Sequence, residues 1–179
     1  MQIKIEKKGE IFKGKASQIV SKQLGSAMYE SVQLVERNVK LLTPRGVSDA
    51  RKGLLGSIRG SIINKGTPMI MGQVASNIGY VEVIEKGRAP GKKWPPDGVL
   101  IKWIQKKLGV WGKSSSMRMH KIMTPEKMAQ SVEFIIRRKI GKRGFKGFHM
   151  FEKGLENSMS RLTLIFKEIG LGIAREFSE

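Results

Sequence analysis

The chain has 179 residues, no cysteine, 40% hydrophobic residues, and 34 Lys plus Arg against 15 Asp plus Glu, a formal charge of +19. These values exclude a disulfide scaffold and a thiolate metal centre, and they suit one globular domain, residues 1–179, that buries a real core. A positive surplus of this size calls for an anionic partner.

The charge is uneven: residues 1 to 44 carry 8 basic and 4 acidic groups, residues 45 to 123 carry 15 and 4, and residues 124 to 179 carry 11 and 7. Neither end is a basic tail of the kind that binds nucleic acid in a disordered state. The opening "MQIKIEKKGE" alternates charge with single apolar residues, unlike a signal peptide, so residues 1–14 read as a flexible or extended segment. No run approaches the ~20 apolar residues of a membrane helix. The expectation is a soluble protein made in a cytoplasm.

In chain order, residues 15 to 43 space Val20, Leu24, Ala27, Met28, Val35, Val39 and Leu42 by three or four, which predicts one long helix ended by Thr43-Pro44. Gly25 inside it predicts a kink or a close packing contact. The runs "LLGSIRGSII" and "MIMGQVASN" flank "NKGTP" and predict a hairpin. Tyr80 to Ile84 fits either a strand or a helical turn. Asp97 is placed to cap a helix "GVLIKWIQKKL". Residues 109–123 read as an exposed loop, and Thr124-Pro125-Glu126 opens a helix that stops at Gly141. "GKRGFKGFHM" reads as a basic hinge, and a single last helix runs from about Phe151 to Phe177. The fold class expected is α+β: a small antiparallel sheet packed against long N-terminal and C-terminal helices.

Little in this pattern points to catalysis. His120 and His149 stand apart with no cysteine, so neither a metal site nor a cofactor is expected. Ser114, Ser115 and Ser116 near His120 read as solvated loop rather than a triad. "WGKSS" lacks the glycine of a phosphate loop, where Lys107 stands instead. Glu82 and Glu85, three apart, do not flank a substrate as paired glycosidase carboxylates do. Glu85 is expected to accept loop amides or pair with a cation.

The basic groups are the stronger candidates. Arg88, Lys92 and Lys93 share a loop with Lys86, Lys106 and Lys107 lie on the next helix, and Arg137, Arg138, Lys139, Lys142, Arg143 and Lys146 form a second cluster with no acid inside it. Such clusters neutralise phosphates or acidic surfaces. The segment "YVEVIEKGRAPGKKWPP" reads as an anchored base, with Glu85 fixing a turn that Gly87 permits, followed by a proline-stiffened basic arm from Arg88 to Pro96.

Four segments, in order, resemble the tailed-bacteriophage neck and tail-completion (head-tail joining) protein family. "TPRGVSDARKGLLGSI" resembles its opening "TP-x-D-T-G-x-L-x-x-S-I", matched at Thr43, Pro44, Leu54, Ser57 and Ile58. "GYVEVIEKGRAP" resembles "Y-A-x-x-V-E-x-G-T-x-x-x-P" at Tyr80, Glu85, Gly87 and Pro90. "LIKWIQKK" resembles a leucine-tryptophan helix at Trp103. "GKRGFKGFHMFEKGLENS" resembles "G-x-x-x-x-x-F-F-x-x-A-L" at Gly141, Phe148, Phe151 and Leu155. "GVSDARKG" replaces the family's "D-T-G", and Gly154 stands where the family tends to have alanine, a small change.

The resemblance implies a non-enzymatic virion protein at the head-tail interface, made in the bacterial host. It further implies a homo-oligomeric ring of about six copies, with adjoining connector and tail proteins as partners and sequence-independent contact with packaged DNA. Such a ring, at +19 per copy, self-repels unless acidic surfaces or DNA lie against it. A free basic nucleic-acid-binding protein of phage or prophage origin is the alternative.

Overall fold

The apolar repeat from Val20 to Leu42 folds as a 27-residue helix, α1 (Ala16–Leu42), and Thr43 and Pro44 leave it, as the steric restriction before proline requires. The structure, a computed structural model, describes residues 16–45, 53–67, 69–111 and 125–178, and of residues 107–111, 125 and 178 the backbone alone. The segment 1–14, the run 112–123 and Thr124 lie outside the described residues.

After α1 come α2 (Leu54–Ser57), β1 (Ile58–Ile63), β2 (Met71–Ser76), α3 (Val81–Lys86), β3 (Gly87–Arg88) and α4 (Ile101–Trp111). Then follow α5 (Pro125–Arg143), β4 (Phe145–Lys146), α6 (Met150–Glu156) and α7 (Met159–Ser178). The fold is α+β, with long helices near both ends and a small antiparallel ribbon, β1 on β2, in register from Ile58 opposite Ser76 to Ile63 opposite Met71.

Four expectations are corrected. "LLGS" is helical, because Ser57 Oγ donates to the Leu54 carbonyl at 2.7 Å and offers the backbone a turn in place of a strand. The helix expected from residue 98 begins at Ile101 and continues through Gly109 to Trp111, where a loop was expected. Helix α5 passes Gly141 and ends at Arg143, with Gly144 in the left-handed region (φ 63°) and its N–H on the Ile140 carbonyl.

The single last helix is two. Ser158 is fully buried at the break, its Oγ donating to the Gly154 carbonyl at 2.7 Å and accepting from Asn38 Nδ2 at 2.8 Å. A polar side chain at that position therefore ends α6 and starts α7, a step that an apolar periodicity does not register.

The chain divides into two compact units. Unit 1 comprises Met1–Leu42, Ile58–Ser76 and Met150–Glu179. Its core is Ala27, Val32, Val39, Ile58, Met150 and Ile165, and each large member stabilises the fold by about 1.5–3 kcal/mol relative to exposure. The ribbon approaches α1 closely because Gly60 and Gly72 lack side chains, since a Cβ on either runs into Val32. Glu36 then accepts the Gly60 N–H at 2.6 Å and pairs with Lys40, closing the outer edge of β1 at that residue.

Helix α6 meets α1 where Gly154 abuts Val39. A Cβ on Gly154 meets the Val39 backbone nitrogen at 2.9 Å and Cα at 3.0 Å, so glycine rather than alanine at this position is not a small change. Gly25, in contrast, has nothing within 4 Å of a Cβ, so no close contact with the described residues explains it. No helix among the described residues is long and apolar enough to cross a membrane.

Unit 2 comprises Thr43–Ser57 and Asn77–His149. Helices α4 and α5 pack together in it, with Ile104 and Ala129 buried. The short β3 pairs with β4, Gly87 opposite Lys146 and Arg88 opposite Phe145.

Candidate functional site

Unit 2 holds 20 basic and 6 acidic side chains, a net +14, whereas unit 1 holds 14 and 9, a net +5. The middle of unit 2 shows how that charge is arranged. The sequence "GKRGFKG" is not a hinge: Gly144 and Gly147 lie against the main chain of residues 85–90, so closely that a Cβ on either meets backbone atoms. Gly87 answers from the other side with φ 79°, a conformation glycine adopts without strain. Phe148 N–H donates to the Ile84 carbonyl at 2.9 Å and His149 N–H to the Glu85 carbonyl at 3.1 Å. These bonds fasten the two glycine-rich segments main chain to main chain.

From this seam the loop Arg88–Pro96 continues, and it is not a free arm. Gly91 N–H donates to the Gly141 carbonyl at 2.8 Å. Trp94 lies on Gly141, whose missing Cβ makes the space, and meets Phe134 edge to face with centroids 5.7 Å apart. Arg137 Nε donates to the Pro95 carbonyl at 2.7 Å while its Nη1 pairs with Asp97. Arg88 Nη2 donates to the Lys93 carbonyl, and Arg88 Nε is buried without a partner. The segment is a strap bound along α5.

The expected cap of α4 is also reassigned. Buried Glu133 of α5 accepts the N–H groups of Gly98 at 3.2 Å and Leu100 at 2.9 Å, so the helix is entered over a carboxylate from another element. Asp97 takes Arg137 instead. The only sequence signal for Glu133 is a glutamate at the buried spacing of Ala129 and Val132, which reads as surface until a partner is known.

Of the basic candidates, Lys92, Lys93, Arg138, Lys142, Arg143 and Lys146 have exposed side chains. Lys139 joins them on α5. Arg138 with Lys142 and Lys139 with Arg143 form two adjacent rows one turn apart, so the last two turns of α5 present four cations. Because Gly91 is bonded to Gly141, Lys92 and Lys93 emerge beside that end of the helix. Arg88 and Arg137 belong to the strap's internal fastening. Lys106 lies exposed on α4, and the side chain of Lys107 is outside the described residues.

The expected anchors divide. Glu85 and Gly87 are half-buried in the seam, and Pro90 is exposed at the start of the strap. Tyr80 at the N-cap of α3, Trp103 on α4 and Phe148 after β4 are each close to half exposed. Phe151 belongs to unit 1, where it helps to line an apolar groove of about 430 Å³ with Met28, Val35, Met71, Leu155 and Phe166, and with no charged residue. Leu155, Met159 and Phe166, within the span of the expected last helix, stay 48%, 52% and 38% exposed.

Glu82 pairs with Lys86 in the open, at 2.8 Å. Lys86, by hydrogen bond and charge, holds the Glu82 carboxyl below its ordinary value, and Glu82 raises Lys86 in return. No group of three His, Cys, Asp or Glu side chains poised for a metal occurs among the described residues. His120 and the Ser114–Ser116 run lie outside them. The chain matches no family profile, no curated protein and no solved structure.

Proposed function

We propose that the chain is a non-enzymatic virion structural protein of the head-tail connector, acting at the neck or the tail-completion position as one subunit of a ring. The observation that carries the reading is that two of the segments resembling that family, "GYVEVIEKGRAP" and "GKRGFKGFHM", lie side by side as one glycine-locked seam. Residues shared with the family thus sit at positions that a packed turn demands.

Two further features support it. The groove of unit 1 has uncharged walls, and a chain at +19 meets a second copy with least repulsion through such a face. Unit 2 concentrates cations on an exposed surface, which suits an adjoining acidic or polyanionic component of a particle.

The experiment is to tag the chain, purify the tailed particles made by the phage or prophage that encodes it, and measure copy number and position. The expected result is a fixed number of copies, about six, at the head-tail junction. Absence from particles, with the protein bound to DNA in the same lysate, gives the reading up for a free basic nucleic-acid-binding protein.

A further inference from the structure

We infer that the strapped basic face of unit 2 is a binding surface for the phosphate backbone of duplex nucleic acid. Lys92, Lys93, Arg138, Lys139, Lys142 and Arg143 make the phosphate contacts, and Arg88 and Arg137 position the strap. The inference deepens the connector reading, on which it rests only for the identity of the duplex as packaged DNA.

Three observations carry it. First, the described carboxylates of unit 2 are engaged elsewhere than on these six cations: Glu82 pairs with Lys86, Asp97, exposed at the end of the strap, pairs with Arg137, and Glu133 is buried on two amides. Glu85 lies in the seam with its carbonyl on the His149 N–H, and Glu126 sits in the first turn of α5, far from Arg143 along a 19-residue helix. Cations left so close together need a partner with closely spaced negative charge. Duplex DNA supplies one charge per roughly 1.7 Å of its axis.

Second, the one ring on the strap is partly engaged. Trp94 is packed on Gly141 and edge to face against Phe134, and at 37% exposure it offers only part of its ring for stacking an unpaired base. That favours a duplex backbone over a single strand. Third, the strap is fixed in place. Gly91 on Gly141, Arg137 on Pro95 and Arg88 on Lys93 hold Lys92 and Lys93 next to the α5 cations, so little ordering is left for the moment of binding.

The test uses the full chain and a fluorescent duplex of mixed sequence, with anisotropy read from low to moderate salt. With six phosphate contacts the affinity falls about 10³-fold between 50 and 200 mM salt, and the logarithmic slope is about −0.9 per contact. Arg138→Ala and Lys142→Ala, both at exposed positions, each reduce the slope by about one on every duplex sequence, and Lys92→Ala with Lys93→Ala reduces it by about two.

Arg137→Met distinguishes positioning from contact. Releasing the strap reduces the slope as much as the double lysine variant does, and combining the two changes nothing further. Near-additive loss in the combination overturns the positioning role, and an unchanged slope in the α5 variants overturns the surface. Polyglutamate displacing duplex at equal charge concentration gives the face to an acidic protein and overturns the inference. A flat salt curve for a chain that does sit in particles refutes this inference alone, whereas steep duplex binding by a chain absent from particles refutes the connector reading alone.

Discussion

Unit 1 and unit 2 are closed by different physics, and their charges, +5 and +14, account for the difference. In unit 1, apolar side chains pack between α1, the ribbon and the C-terminal helices and line the groove left among them, and glycines serve as notches that let helix and ribbon approach. In unit 2, the loop with the most cations is held by carbonyls and carboxylates: Lys93 and Pro95 carbonyls accept from arginines, and Glu133 accepts from amides. Apart from Trp94, which packs on Gly141 and Phe134, this stretch is hydrogen-bonded down rather than packed down. Its remaining charges then stay on the surface.

The largest way to break unit 2 is at its seam. Gly144→Val places a Cβ against the Arg88 carbonyl from a left-handed backbone position, with an expected loss of about 3 kcal/mol or more in urea unfolding. A variant as stable as the parent would mean that the seam is not tight. Next is Glu133→Ala, which leaves the Gly98 and Leu100 amides without their acceptor and costs about 2–3 kcal/mol, while Glu133→Gln retains an acceptor and part of the loss.

Unit 1 is expected to answer to acid through Glu36. Burial alone raises its carboxyl, but the Lys40 ammonium, the Gly60 N–H and the Arg59 charge together outweigh that and hold it below its ordinary 4.5. A carboxyl depressed on folding contributes fully above the unfolded value and is lost as pH falls through the folded one. Thermal melts from pH 7 downward should therefore show a decline below about pH 4.5 that Glu36→Gln flattens. Identical slopes for both proteins would take Glu36 out of the account.

The smallest effect has the opposite sign. Gly25→Ala on α1 meets nothing within 4 Å and removes a poor helix former, so it should stabilise by about 0.5–1 kcal/mol. If the variant is stabilised yet assembles poorly into particles, the glycine serves a contact with a partner.

The readable parts of the sequence were those with a period. The seven apolar positions of α1 marked its length to within a residue at each end, and two β-leaning runs around Asn64 and Gly66 marked the hairpin. Pro125 opened α5 as its first residue. The strap was legible as basic and proline-rich but not as bound, because the bonds that hold it to α5 join residues about 40 to 50 positions apart, such as Arg137 to Pro95 and Gly91 to Gly141. Composition does not record which carbonyl an arginine will reach.

The sequence by itself determined α1, the start of α5, the ribbon and the excess of positive charge, since periodicity and composition are local properties of the chain. Tertiary structure alone decided which cations are free and which are structural. It placed Glu133 under α4, broke the last helix at Ser158, and turned "GKRGFKG" from a hinge into a seam, because each depends on a partner distant in sequence and on an approach too close for a Cβ.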